Sequence, residues 1–529
     1  MSNDNNLTIK ETFIQALKNH QNNNLEVAKN LYNKIILIES NNIGALNNLG
    51  LVFQSLGESQ EAMSCYKKVI GIESNNISAL NNLGLVFQSL GESQEAISCY
   101  KKVIGIDTNY VNANFNLGNV LNSLGNYQEA KKYYEKVIRI DSNHKDSFNN
   151  LGVILKQLGQ YKEAIDCYKK AIKIDPHHKD ALNNLGVIFK ELGNYKEARK
   201  CFEKAINIDS VHIVALNNLG IVFKELGDFL EATNCFEKVI SINSNDPDGH
   251  FNLGVLLYET AQYENAVEEF KLISFKNSNS YFLSCLFKLD KKSSFYDVFD
   301  KRIKKSEKFD ALVGSVCLRS EIKYGINVPN PFCKHPLDYV LSRDLIKICD
   351  FNNTFIKTVK KILNKKKILL RNQGLLTNGI QTSGNFFNLE TELTSKIKDI
   401  IHSEIENYKS IFTDSEEGFL RKFPHKYNLN AWLVSMKNGG KLDAHIHENG
   451  WLSGSIYINV PRKKKVDSGN LVVCLEEEYE KEENKNIKKS IDVVTGSICI
   501  FPASLLHYTV PFESKEERIV LAFDVIPKN

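Results

Sequence analysis

The sequence predicts two fold classes in one chain, an α + β multidomain protein. An α-solenoid should fill the N-terminal half, and an antiparallel β domain, a jelly roll or barrel, the C-terminal half. Two observations predict this. Seven asparagines, Asn48, Asn82, Asn116, Asn150, Asn184, Asn218 and Asn252, stand 34 residues apart, and each opens the triplet Asn-Leu-Gly. So strict a period marks stacked helical hairpins, each burying its apolar face only against its neighbours. From Ala431 onward, β-branched and aromatic runs alternate with turns, the pattern of strands.

The hairpin can be read from one repeat, Ile43 to Asn76. Leu49, Gly50 and Phe53 mark a first helix, Gly57 ends it, and Ala62, Tyr66 and Val69 mark a second. These apolar residues recur at the helical spacing. Gly50 and Ala62 are small, as a close helix approach requires. The same register returns at Gly84, Gly118, Gly152, Gly186, Gly220 and Gly254, and an earlier copy is visible at Ala16, Ala28 and Tyr32. About eight repeats over residues 9–280 follow.

Bulk properties exclude several classes. At 529 residues the chain is too long for one core. A net charge of +4 and a pI near 8.3 make no global case for nucleic acid or an acidic membrane. Met1 to Lys10 is polar, so no secretory leader is expected, and no apolar run is long enough to span a bilayer. Cys65, Cys99, Cys167, Cys201 and Cys235 share one repeat position and no CxxC pair occurs. Core filler in a reducing cytoplasm fits that pattern.

The repeat residues resemble the tetratricopeptide repeat (TPR) pattern, including Pro176 at the usual closing position. The asparagine column has two readings: local hydrogen bonding carried along by duplication, or a ladder on the concave face. First helices pack about 10 Å apart, and an extended peptide advances about 3.3 Å per residue. One amide per repeat would then hold every third peptide residue, donating and accepting at once. The column resembles the asparagine ladder of the O-GlcNAc transferase TPR domain, which implies a protein or peptide partner at Asn48, Asn82, Asn116, Asn150, Asn184, Asn218 and Asn252.

Past Phe275 the period fades, yet Ser280 to Tyr324 still reads helical, as an extension capping the last repeat. The two prolines of Asn327-Val-Pro-Asn-Pro-Phe-Cys333 break the helix. The expected domains are therefore 9–280, the solenoid; 281–360, a helical extension and linker; and 361–529, the β domain. Cys333-Lys334-His335 reads as structural.

In the β domain, strand-like runs cover Ala431 to Met436, Leu452 to Val460, Asn470 to Leu475, Asp492 to Phe501 and Arg518 to Val525. Glu476 to Lys489 reads as a solvated loop. Residues two apart share a strand face. Asp443, His445 and His447 should therefore point one way, as should Ser453, Ser455 and Tyr457, and His507 with Thr509. Three histidines facing one interior suit a divalent metal, without choosing among Fe, Zn, Cu and Ni. Arg518, eleven residues beyond His507, offers a planar fork for a carboxylate.

From about Leu369 to Pro527 the chain resembles the 2-oxoglutarate/Fe(II) oxygenase superfamily, in particular the group with TPR repeats ahead of that domain. The supporting stretches are Gln381-Thr-Ser-Gly-Asn385, His445-Ile-His447, Gly450-Trp-Leu-Ser-Gly454 with Tyr457, Gly469, Phe501-Pro502, His507 and Arg518-Ile-Val-Leu-Ala-Phe523; Asn330-Pro-Phe-Cys333 also looks like an upstream segment of the group. The resemblance implies a double-stranded β-helix (jelly roll) and a TPR superhelix. It also implies Fe(II) and 2-oxoglutarate as cofactor and cosubstrate, and a dioxygenase hydroxylating a substrate. His445, His507 and Arg518 would be the catalytic residues, with Arg518, Tyr457 and Ser455 binding the cosubstrate. The usual triad is His-x-Asp/Glu plus a distal histidine; this chain has His445-x-His447. Three readings stay open: His447 as third ligand, only two protein ligands, or Asp443 or Glu448 serving instead. The competing class is a non-catalytic TPR adaptor with a degenerate oxygenase domain. A TPR glycosyltransferase is disfavoured, since β-rich sequence rather than a nucleotide-sugar domain follows the repeats.

Overall fold

A computed structural model describes residues 8–275, 277–305, 309–325, 328–364, 370–371, 375–389, 391–476 and 487–528. The polar start, Asn327, Leu369 and most of the charged run after Glu476 lie outside the described residues. The chain divides into two compact units, residues 1–184 and 185–529. They part within the helix Lys179–Glu191.

The first unit is a run of helical hairpins, from Ile9–Gln21 with Leu25–Ile38 to Lys145–Gln157 with Tyr161–Ile174. From the second hairpin on, what fixes each pair of helices is a glycine facing a ring. A Cβ on Gly50 would lie 2.6 Å from the Tyr66 ring, one on Gly84 2.6 Å from Tyr100, and one on Gly152 2.6 Å from Tyr168. The close approach at these glycines is therefore ring against backbone, and it buries each tyrosine completely. Asn42 and Asn76 cap the helices that follow them, accepting from the amides of Ala45 and Ala79. The repeated cysteines are buried and unbridged.

In the second unit the same contact recurs with phenylalanine: Gly186 with Phe202, Gly220 with Phe236, and Gly254 with Phe270. Helices Ser278–Lys288, Lys292–Val298 and Ala311–Tyr324 follow. They share one apolar core with the last repeat, in which Val255, Ala266 and Phe270 meet Tyr281, Leu283, Val313 and Val316. The expected capping extension thus has a physical basis: the last hairpin would otherwise leave its apolar face in water. Asn330 then pins the Asn-Pro-Phe-Cys segment, donating to the Gly314 carbonyl and accepting from the amides of Phe332 and Cys333.

Among the described residues, ten strands form a nearly closed antiparallel sheet: β1 (Leu341–Asp344), β2 (Leu370–Arg371), β3 (Leu376–Thr382), β4 (Tyr427–His445), β5 (Leu452–Asn459), β6 (Leu471–Cys474), β7 (Lys488–Ile491), β8 (Ser497–Pro502), β9 (Leu506–Thr509) and β10 (Arg518–Pro527). The order is β1-β8-β5-β10-β4-β9-β6-β7, with β3 also on β4 and β2 on β3. This is the jelly-roll arrangement. β4 makes it possible: its first half pairs with β10 and its last residues with β9. Between them the strand turns at Gly439, whose φ of +71° suits glycine. One long helix, Thr391–Ile411, has no counterpart in the sequence reading. It lays Ile397, Ile401, Ile405 and Tyr408 into the core behind the sheet. The repeats also meet this domain directly within the second unit. Gly193, at φ +72°, lies so close that a Cβ would come within 2.4 Å of the Ser383 Cβ.

Candidate metal centre

Strand pairing assembles the site. Facing residues on β10, β4 and β5 are in register: Arg518 opposite Met436, Val520 opposite Val434 and Tyr457, Ala522 opposite Trp432 and Ser455. On the other side His445 pairs with His507, and His507 with Val473. A cavity of about 40 Å³ results, walled by His445, His447 and His507 at one part and by Tyr457, Ser455 and Arg518 at another.

The three histidine nitrogens converge. One ligand atom from each lies within 4.8 Å of the others, and no other such group of His, Cys, Asp and Glu occurs among the described residues. His445 Nε2 and His447 Nε2 stand 3.1 Å apart, the spacing of two nitrogens each about 2.1 Å from a shared ion. Every Nδ1 faces an oxygen: His445 the Asp443 carbonyl at 2.8 Å, His447 the Asp524 carboxylate at 2.6 Å, His507 the Leu505 carbonyl at 3.5 Å. A proton on Nδ1 leaves each Nε2 lone pair for a cation. Burial, aided by the neighbouring imidazoles, pushes His445 down to about 4 and holds His507 well below its ordinary value. These two rings are neutral at pH 7, as ligation requires.

Arg518 is 1% exposed. Its Nε and Nη1 have no hydrogen-bond partner among the described residues. The guanidinium carbon sits 5.2 Å from the centre of the Tyr457 ring, and burial lowers its pKa. A buried cation without a counter-ion costs several kcal/mol. The fold therefore holds ready a place for an anion.

The candidates for third ligand separate. Asp443 and His445 do not share an environment, because β4 slips register between Leu442 and His445. The Asp443 carboxylate instead meets Lys441 at 2.8 Å, near the surface. Glu448 faces away and accepts from the Tyr281 hydroxyl at 2.6 Å; burial pushes it up to about 7. His447 alone of the three joins His445 and His507. Ser453 and Asp524 were missed as its supports: Ser453 Oγ lies 2.8 Å from Asp524 Oδ1 and 3.1 Å from His447 Nδ1. A signal existed, since Asp524 continues the alternation of Arg518, Val520 and Ala522 on β10.

The seven column asparagines are all half-buried. Several bond across repeats: Asn116 to Asn81, Asn150 to Asn119, Asn184 to Asn149 and Asn252 to Asn217, at 3.0–3.4 Å. Asn218 accepts from Lys190 at 2.7 Å. Each donating amide uses one N–H in this way, out of two donors and an acceptor oxygen.

Comparison with known families agrees with this geometry. Residues 430–524 match the family described as "Putative 2OG-Fe(II) oxygenase". Models described as "Tetratricopeptide repeat" match 43–76, 77–110, 109–177, 146–211, 178–245 and 235–268. Residues 43–268 are thus tetratricopeptide repeats, and residues 430–524 form a domain that matches the putative 2OG-Fe(II) oxygenase family. Among solved structures, MamA is 28% identical, with a TM-score of 0.29, over 31% of this chain and 95% of its own. A tetratricopeptide repeat protein from Parabacteroides merdae is 19% identical, with a TM-score of 0.40, over 47% and 98%. YrrB, described as a TPR protein with an unusual peptide-binding site, is 24% identical, with a TM-score of 0.30, over 35% and 95%. No curated protein matches the chain. No helix among the described residues is long and apolar enough to cross a membrane.

Proposed function

We propose that this protein is an Fe(II)- and 2-oxoglutarate-dependent dioxygenase whose repeat arm, residues 9–280, binds a protein or peptide. Residues 281–340 would join the arm to the oxygenase domain, which starts at or before β1, Leu341–Asp344, paired with β8, and not at the expected residue 361. The observation that carries the reading is one cavity containing three convergent imidazole nitrogens and a buried guanidinium lacking an anion. That donor set fits Fe(II), and the Arg518 guanidinium, with Nε and Nη1 free of partners among the described residues, fits a carboxylate.

His445, His447 and His507 would hold the metal through Nε2, with Asp524 and Ser453 fixing the His447 ring. Arg518 would bind the distal carboxylate of 2-oxoglutarate, beside Tyr457 and Ser455. When bound, iron and 2-oxoglutarate supply oxygen activation coupled to decarboxylation, the source of a hydroxyl group for a substrate C–H bond. Trp432, Val434, Leu471 and Phe501 would keep bulk water from the site. Three histidines in place of two and a carboxylate favour one alternative, an adaptor that binds a partner without turnover. Anaerobic Fe(II) titration followed by measurement of succinate from 2-oxoglutarate separates the two. Iron binding with succinate formation is the expected result; iron binding without it would leave the adaptor.

A further inference from the structure

His447 lies beyond the end of β4, on an unpaired loop. A ligand so placed needs support from both sides. Inside, Asp524 and Ser453 hold its Nδ1. Outside, the support comes from the helices that close the repeats. The loop keeps a strand-like alternation, so Ile446 and Glu448 face opposite to His445 and His447. Ile446 packs into the core of the last repeat and its extension. Glu448 accepts from the Tyr281 hydroxyl at 2.6 Å, and Asn449 from the Asn277 side chain at 3.3 Å. Tyr281 is 2% exposed. Its ring stacks on Phe270 at 5.6 Å and meets Phe251 and Tyr258 edge-on. Phe270 is the ring that fills the Gly254 contact of the last repeat. Phe251 precedes the last asparagine of the column.

We infer that Tyr281 is a positioning residue for the metal loop: through Glu448 it sets the orientation of His447, making the end of the repeat arm a structural part of the metal centre. This rests on the metal reading of the three histidines. The arm then does more than tether a partner. A shift of the Phe251–Phe270–Tyr281 stack would reach the metal loop through the one hydrogen bond from Tyr281 to Glu448, the residue next to His447.

The test uses the full chain and Co(II) alone, read by its visible d–d absorption, with thermal melting as a fold check. Tyr281→Phe removes one hydroxyl and keeps the stacked ring. It should weaken Co(II) binding about tenfold, the effect of losing a partner that orients a ligand, and change the absorption band, with the melting temperature nearly unchanged. Glu448→Ala should do the same, whereas Glu448→Gln keeps an acceptor for the hydroxyl and should stay close to wild type. The double variant Tyr281→Phe/Glu448→Ala should be no weaker than either single one, since both remove one contact. Wild-type affinity and spectrum in folded Tyr281→Phe would overturn the inference, as would additive losses in the double variant. Absence of Co(II) binding by the wild type would overturn the metal centre itself, and this inference with it.

Discussion

At the scale of single residues, the centre is defined by where each polar atom finds its partner. His445 and His507 carry the convergent nitrogens, so alanine at either should abolish tight metal binding while leaving the fold intact; isothermal titration with Fe(II) under anaerobic conditions reads this. His447→Ala is the finer measure, because retained succinate formation would mean that two histidines suffice. Asp524→Asn keeps the shape but loses the charge behind His447, and should lower metal affinity about 10–100-fold. Arg518→Ala should raise the apparent KM for 2-oxoglutarate more than Arg518→Lys, since lysine keeps the charge without the planar fork. Metal affinity should barely move in either. Away from the site, Asp310 caps helix Ala311–Tyr324 and accepts from Ser280 at 2.5 Å. Burial pushes its carboxyl up to about 6 from 3.8. The folded state therefore favours the protonated acid. No penalty applies below pH 3.8; it grows as pH rises and is complete above about 6. Asp310→Asn keeps the cap and lacks the charge. Its stability advantage in urea should grow between pH 4 and pH 8, to at most about 3 kcal/mol, less because Asp310 keeps some contact with water.

At the scale of elements, each hairpin from Gly50 onward depends on a missing side chain. A leucine at Gly152 would drive atoms into the Tyr168 ring, which a bare Cβ already approaches to 2.6 Å. Overpacking of this kind costs on the order of 1–3 kcal/mol. A lowered urea midpoint for Gly152→Leu is the expected result, and an unchanged midpoint would contradict the contact. The strands were legible because β-branched and aromatic runs bounded by turns mark them, even in β6 and β8, where every residue is buried. The helix Thr391–Ile411 was passed over although its buried residues recur at helical spacing. Asp443 was misplaced for a different reason. A register slip in β4 undoes the rule that residues two apart share a face, and nothing local in the sequence announces the slip.

At the scale of the whole molecule, the proposed activity needs the arm to bring a polypeptide to the oxygenase domain. Replacing Asn150, Asn184 and Asn218 together with alanine tests this. Partners captured by the wild-type chain should be lost, while uncoupled conversion of 2-oxoglutarate to succinate continues. The same amides also bond between repeats, each bond contributing about 0.5–1.5 kcal/mol. A modest fall in melting temperature is expected beside the loss of partner. If the partners remain and only the melting temperature falls, the column serves the solenoid alone.

The sequence by itself determined what repetition and alternation encode. Hairpins of 34 residues and β-rich strands follow from side-chain size and apolar spacing, which act over a few residues and so can be read locally. His445, His447, His507 and Arg518 were visible as residue types at suggestive intervals. Only the tertiary structure decided what required distant segments to meet. Asp524 reaches His447 because β10 lies beside β4 and β5. Glu448 turns from the cavity because Tyr281, 167 residues earlier, takes its carboxylate. Such pairings depend on strand register and helix packing between remote parts of the chain, and no short window of sequence contains both partners.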